Sequence, residues 1–229
     1  TWAPRLADLD NDGRIDAFFT NGMARAFHDA DLGVRVAQAP NRNIQVALYQ
    51  RSEPLREANL AFRNLGDFRF EETGADWGLD LVGVSFAAAF ADFDLDGDLD
   101  LVVGNWKENV SLYRNLSDTG DRLMLRLVGK ESNAFGLGAK VSARVGDERQ
   151  WRELTSTRGY LSTDEPVVHF AFPNAETVDE LRVDWPSGTR QIVRGLETGR
   201  RYRIEESGTG EAGDRTPVLL FSRSEIAVD

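Results

Sequence analysis

With 229 residues, 41% of them hydrophobic, the chain is long enough to bury one large core or two modest ones. Its net charge of −11 argues against nucleic acid or an anionic membrane surface as a partner, and the absence of cysteine excludes disulfides and thiolate metal sites. No apolar stretch approaches the ~20 residues of a membrane-spanning helix, so no membrane insertion is expected, and no signal peptide is visible.

The first informative element is Asp8-Leu-Asp10-Asn-Asp12-Gly13-Arg14-Ile-Asp16. It puts carboxylates at loop positions 1, 3, 5 and 9, the arrangement that a hard, oxygen-seeking cation such as Ca2+ requires. Gly13 supplies the sharp turn at position 6, and Arg14 at position 7 is expected to offer its backbone carbonyl. Without a cation, such a loop carries a standing electrostatic penalty. The apolar, β-prone run Ala17-Phe18-Phe19 comes next, and Phe19 occupies position 12, where an EF-hand carries a bidentate glutamate. The site is therefore expected between two strands, not between two helices.

His28 to Asn43 reads as a surface insertion, since loops of that length inside compact domains are unusual. RVAQ within it and SEPLREA beyond it read as short helical turns, the latter capped by Ser52, while IQVALYQ (residues 44–50) reads as the next strand.

The nine-residue element then returns as Asp92-Phe-Asp94-Leu-Asp96-Gly97-Asp98-Leu-Asp100, with Asp98 now at the carbonyl position and Val103 at position 12. ADLDNDGRIDAFFTNG from Ala7 aligns without a gap to ADFDLDGDLDLVVGNW from Ala91, and the strand-like VSLYRN succeeds the second copy as IQVALYQ succeeds the first. Repetition at this scale indicates stacked supersecondary units. The segment resembles FG-GAP (VCBS) repeats, the Ca2+-loop blades of β-propellers. That resemblance implies structural cation sites at blade edges, and it makes Asn59 to Gly74 the outer part of a blade: a strand, a Gly-Asp turn and a second strand. Propellers close with 4–8 blades, and this chain supplies about two. Thr1 falls in the middle of a repeat, so the chain reads as a fragment. Its open strand edges and apolar faces, including Val84, Phe86, Phe90 and Phe93, are expected either to pack against the rest of the chain or to self-associate.

Beyond Asp121 the acidic loops stop and short alternating runs take over: Leu123, Leu125 and Leu127; Val141, Ala143 and Val145; Leu181, Val183 and Trp185; Tyr202 and Ile204. Period-2 alternation between turn residues predicts half-buried antiparallel strands, hence a small sandwich or barrel. The stretch from Leu123 to Glu206 resembles the ASPIC/UnbV domain, through Gly136-Leu-Gly138-Ala139, Gly159-Tyr160-Leu161-Ser162 and the Trp185-Pro186-Ser187-Gly188 turn. FG-GAP repeats succeeded by this domain are similar to proteins of the cartilage acidic protein type. The expected architecture is thus all-β: partial propeller blades over residues 1–120, an antiparallel sandwich or barrel over 121–206, and a Gly-rich linker and tail over 207–229. In that tail VLLF reads either as an added edge strand or as the beginning of a further segment of a longer protein.

Other residues have plainer readings. His169 lies in a strand and reads as a hydrogen-bonded structural histidine, His28 as a solvated one. Trp77, Trp106, Trp151 and Trp185 read as packing residues before they read as a sugar platform. The glycines around Leu137 lack the GK[ST] ending of a phosphate loop, and two isolated histidines with no cysteine and no GxSxG elbow give little basis for nucleophilic catalysis. The expectation is a non-catalytic, Ca2+-binding, extracytoplasmic interaction or adhesion module holding two ions, with a protein or glycan ligand. The alternative is an accessory, carbohydrate-binding region of a larger exported enzyme.

Overall fold

The alternating runs beyond Asp121 are realised as strands. The structure, a computed structural model, describes residues 2–118, 121–155, 157–207 and 218–219. β1 (Pro4–Ala7) and β2 (Asp16–Phe19) flank the first acidic loop; α1 (Ala30–Ala37), α2 (Arg42–Arg51), β3 (Glu57–Ala58), β4 (Leu60–Gly66) and β5 (Arg69–Glu72) come after it. β6 (Val82–Gly83) and β7 (Ser85–Ala91) lead into the second loop, and β8 (Asp100–Asn105) and β9 (Ser111–Tyr113) leave it. Then come β10 (Asp121–Val128), β11 (Lys140–Val145), β12 (Glu148–Glu153), β13 (Val168–Phe172), β14 (Thr177–Asp184), β15 (Arg190–Glu197), β16 (Arg200–Glu205) and the short β17 (Val218–Leu219).

In the first half, β1-β2-β4-β5 form one antiparallel sheet and β7-β8-β9 a second, each with an acidic loop joining its first two strands. Their shared core contains Ala3, Phe18, Ala61, Leu79, Ala88, Phe90, Leu101 and Val103, with Trp77 packed against it. The second half is a two-layer sandwich, β13-β10-β16-β17 facing β12-β11-β14-β15, with no closed barrel among the described residues. Leu123, Leu125, Phe170, Phe172 and Ile204 from one layer meet Val141, Ala143, Leu181, Val183 and Leu196 from the other. Each large side chain buried there contributes roughly 1.5–3 kcal/mol of transfer free energy.

Three local expectations are corrected. IQVALYQ is helical: residues 44–50 lie within α2, whose N-cap Asn41 accepts a hydrogen bond from the Ile44 N–H at 3.1 Å. The β-prone Ile44 and Val46 find no strand to join, because β2 is already paired on both edges, to β1 and β4. Of the expected helical turns, RVAQ closes α1, behind the Asp29 cap. Ser52 instead ends α2, its N–H donating to the Leu48 and Tyr49 carbonyls, and the chain then runs on to β3 without a helical turn. Finally, the sandwich is not wholly antiparallel. β16 crosses from the opposite layer through Thr198-Gly199 and runs parallel to β10, pairing Leu123 with Arg200 and Leu127 with Ile204. From the tail, Val218 and Leu219 pair antiparallel with Arg203 and Tyr202; of the linker and tail expected over 207–229, residues 208–217 and 220–229 lie outside the described residues.

The first half docks on the sandwich through the GYLS region. The Phe90 N–H donates to Asp164 Oδ1 at 2.7 Å, the Glu165 N–H to the Phe90 carbonyl at 3.0 Å, and the Ala88 N–H to Ser162 Oγ at 3.3 Å, so residues 162–165 cover the free edge of β7. Arg5, 1% exposed, pairs with Asp164 and lies over the Phe90 ring, while Tyr160 sits edge-on to Trp2 with ring centroids 4.9 Å apart. Of the apolar residues expected to seek a partner, Val84 and Phe90 are buried, Phe86 packs near Trp2 and Tyr160, and Phe93 remains 51% exposed.

Candidate metal centre

Both acidic loops turn as the spacing requires. Gly13 (φ +91°) and Gly97 (φ +97°) occupy the left-handed region at position 6, and Asn11 (φ +56°) and Leu95 (φ +63°) do so at position 4. The turns bring three carboxylates of each loop together. Asp8, Asp10 and Asp16 each place an oxygen within 4.8 Å of the other two, as do Asp92, Asp94 and Asp100, and either cluster could hold a metal ion.

The two clusters are wired alike. At position 1, Asp8 Oδ2 accepts from the Gly13 N–H at 3.0 Å and Asp92 Oδ2 from the Gly97 N–H at 3.1 Å. At position 9, Asp16 accepts from the Leu9 and Asn64 N–H groups at 2.9 and 2.8 Å, and Asp100 from those of Phe93 and Asn115 at 2.8 and 2.7 Å. Asp8 is 1% and Asp92 6% exposed, yet Oδ1 of each is buried with no hydrogen-bond partner among the described residues. A buried carboxylate oxygen without a donor costs free energy unless a proton or a cation meets it.

Burial, then repulsion from Asp16, pushes the Asp8 carboxyl up to about 8. Burial likewise pushes Asp16 and Asp92 up to about 6, against the backbone N–H groups at Asp16 and the Arg201 charge at Asp92. Asp10, Asp98 and Asp100 are also raised, chiefly by burial.

The other expected ligands stand beside these clusters. Asp12 Oδ1 accepts from the Arg14 N–H at 2.9 Å and Asp96 Oδ1 from the Asp98 N–H at 3.0 Å. The Arg14 side chain turns back to Asp12 at 3.1 Å on the surface. The Asp98 carboxylate, in contrast, is buried between Arg122 and Asn11, whose Nδ2 donates to it at 2.8 Å.

Pairing shows which strand completes each unit. Ala17 pairs with Phe62 as Leu101 pairs with Tyr113, so Phe62-Arg63-Asn64 is the counterpart of Tyr113-Arg114-Asn115. Arg63 lies 2.6 Å from Asp10 and 3.6 Å from Asp12; Arg114 lies 2.6 Å from Asp94 and 3.7 Å from Asp96. These arginines and asparagines are functional neighbours that motif reading missed. The repeated aromatic-Arg-Asn triplet was the available signal, hidden by the insertion that separates it from the first loop.

Sandwich residues close over both loops. Arg201 reaches Asp92 at 3.4 Å and pairs with Glu165, and Arg152 carries its charge close to Asp8. His169 is buried, held neutral near about 3 by burial and by the Arg152 and Arg122 charges. Trp185 is core, its indole N–H donating to Gln191 at 3.1 Å. Glu206 is a further residue that no motif pointed to. It is 3% exposed; burial pushes its carboxyl up, but hydrogen bonds from the Ser187 and Ser132 hydroxyls and from consecutive N–H groups at 130–132 outweigh this and hold it down to about 2. It thereby ties the WPSG turn to the end of β16.

Residues 129–211 match the family model described as "ASPIC and UnbV". The chain is also similar to Cartilage acidic protein 1 of Xenopus tropicalis (28% identity over 196 residues, 82% of this chain and 26% of the relative) and of Homo sapiens (26% over 204 residues, 87% and 27%). The same protein of Mus musculus matches at 27% identity over 186 residues, 80% of this chain and 25% of the relative. The chain thus spans about a quarter of the length of the curated relatives it matches. No helix among the described residues is long and apolar enough to cross a membrane.

Proposed function

We propose that this chain is a non-catalytic, Ca2+-binding, extracytoplasmic interaction module, built from two FG-GAP-type blades (residues 1–120) and an ASPIC/UnbV sandwich (121–206). The observation that carries the reading is the matched pair of buried, donor-less oxygens, Asp8 Oδ1 and Asp92 Oδ1, at position 1 of both loops. All-oxygen donor sets of this kind suit a hard cation, and the flexible coordination number of Ca2+ suits loops that also use backbone carbonyls, here those of Arg14 and Asp98. Bound there, the ion would neutralise Asp8, Asp10, Asp12 and Asp16, or Asp92, Asp94, Asp96 and Asp100, and set the corner between the strands on either side. Millimolar extracellular calcium is where such sites fill, which supports an extracytoplasmic setting. The partner is proposed to be a protein or a glycan.

Calorimetric titration of the 229-residue chain with CaCl2 tests this. Two ions per chain are expected, with unfolding shifted upward by about 2.7 kcal/mol per site at a hundredfold excess over Kd. Asp94→Ala should leave one ion bound. Absence of heat, or binding without stabilisation, overturns the assignment.

A further inference from the structure

The two loops lie 84 positions apart in the aligned repeat, yet they touch. Asn11, fully buried at position 4 of the first loop, donates to the Asp98 carboxylate of the second at 2.8 Å. Asn115 does more. Its N–H holds the ligand-position carboxylate of Asp100 at 2.7 Å, while its Nδ2 donates to the Leu9 carbonyl of the first loop at 2.8 Å and to the Leu99 carbonyl of the second at 3.2 Å. Two residues on, Ser117 Oγ donates to the carbonyl of Asp10, another ligand-position residue of the first loop, at 3.2 Å.

The first unit contains the control. Asn64 holds Asp16 through its N–H at 2.8 Å and the Ile15 carbonyl through Nδ2 at 2.9 Å, both within its own loop. Of this equivalent pair, Asn115 reaches across to the other loop and Asn64 stays within its own among the described residues.

We propose that the two cation sites bind cooperatively, with Asn11 and Asn115 as the positioning residues that couple them. The proposal rests on the cation reading above. An ion in the second loop fixes Asp100, and with it the Asn115 backbone. The Asn115 side chain then holds Leu9 between the position-1 and position-3 carboxylates of the first loop. Ordering entropy met by the first ion is not met again by the second, which is positive coupling without a large structural change. Direct repulsion between the two ions works against this.

The test is a thermodynamic cycle by calorimetry with Ca2+ on the full chain. Asp10→Ala silences the first site and Asp94→Ala the second, both at position 3, away from the most buried carboxylates. Coupling predicts that Asp10→Ala weakens the second site by about fivefold or more, and that Asp94→Ala weakens the first by the same factor, as linkage requires. In an Asn11→Gly/Asn115→Ala background both sites should still fill, but silencing one should leave the other unchanged. Glycine tolerates the φ of +56° at position 11, and alanine keeps the N–H at 115. An unchanged second-site affinity in Asp10→Ala, with both sites filling normally in the parent chain, overturns the coupling and leaves the cation reading standing. No binding in the parent chain removes both. Should a single variant fail to fold, the parent titration decides: a Hill coefficient above 1 is expected, and independent filling overturns the proposal.

Discussion

The first and second acidic loops share four carboxylate positions, one glycine and one turn geometry, and they differ in what the rest of the protein places around them. Asp8 and Asp92 occupy the same position. Asp8 faces Arg152 without a direct bond and is pushed up to about 8, whereas Asp92 has Arg201 at 3.4 Å and rises only to about 6. Position 7 diverges further: Arg14 lies on the surface against its own loop, and Asp98 is buried against Arg122 and Asn11. Motif identity thus sets which ligands are offered. The docked neighbour sets how their charge is compensated before any ion arrives.

The sharpest way to break this comparison is at position 7. Asp98→Ala leaves Arg122 and Asn11 without their shared buried acceptor and should lower stability by roughly 3 kcal/mol, read as a shift in urea midpoint at constant m-value. A loss below about 1 kcal/mol would show that the burial of Asp98 carries no energetic weight.

Next in size is pH. Asp8 keeps its proton in the folded chain up to about 8, while in the unfolded chain it is lost near 4. Between those values the folded chain holds more protons, so in chelator stability should fall as pH rises from about 4 to about 8. Asp92 adds to the slope only up to about 6. Saturating Ca2+ should flatten the profile, because the ion takes the proton's place, and Asp8→Asn should flatten it in chelator more than Asp92→Asn does. Urea midpoints at several pH values with and without chelator check both the sign and the order.

Smaller effects separate the arginines. Arg201→Ala removes a positive charge beside a proposed ligand, so Ca2+ affinity at the second loop should rise about threefold in a calorimetric titration, with the first loop less affected. Arg14→Ala should change stability by no more than about 0.5 kcal/mol, since its side chain is 53% exposed in a surface pair.

Much of the fold was legible. The period-2 runs beyond Asp121 supply residues of the sandwich core, because burying one face of a strand leaves a two-residue period in the sequence. The hairpin within Asn59 to Gly74 was readable through the resemblance, which places a Gly-Asp turn between two strands. IQVALYQ misled because β-propensity expresses itself only where a sheet edge is free. Asn64 and Asn115 were hidden for a related reason: the helical insertion shifts the first triplet away from its loop, and only strand pairing restores the equivalence. Glu206 left no local trace, since its partners come from residues 130–132 and 187.

The sequence by itself determined the two acidic loops, their position-6 turns and the all-β character, because carboxylate spacing, glycine conformation and strand period are local properties of the chain. The tertiary structure alone decided which arginine compensates which carboxylate, which asparagine crosses from one loop to the other, and that the free edge of β7 is covered by residues 162–165. Those contacts join positions tens of residues apart, and their energies depend on burial and distance that no short stretch of sequence encodes.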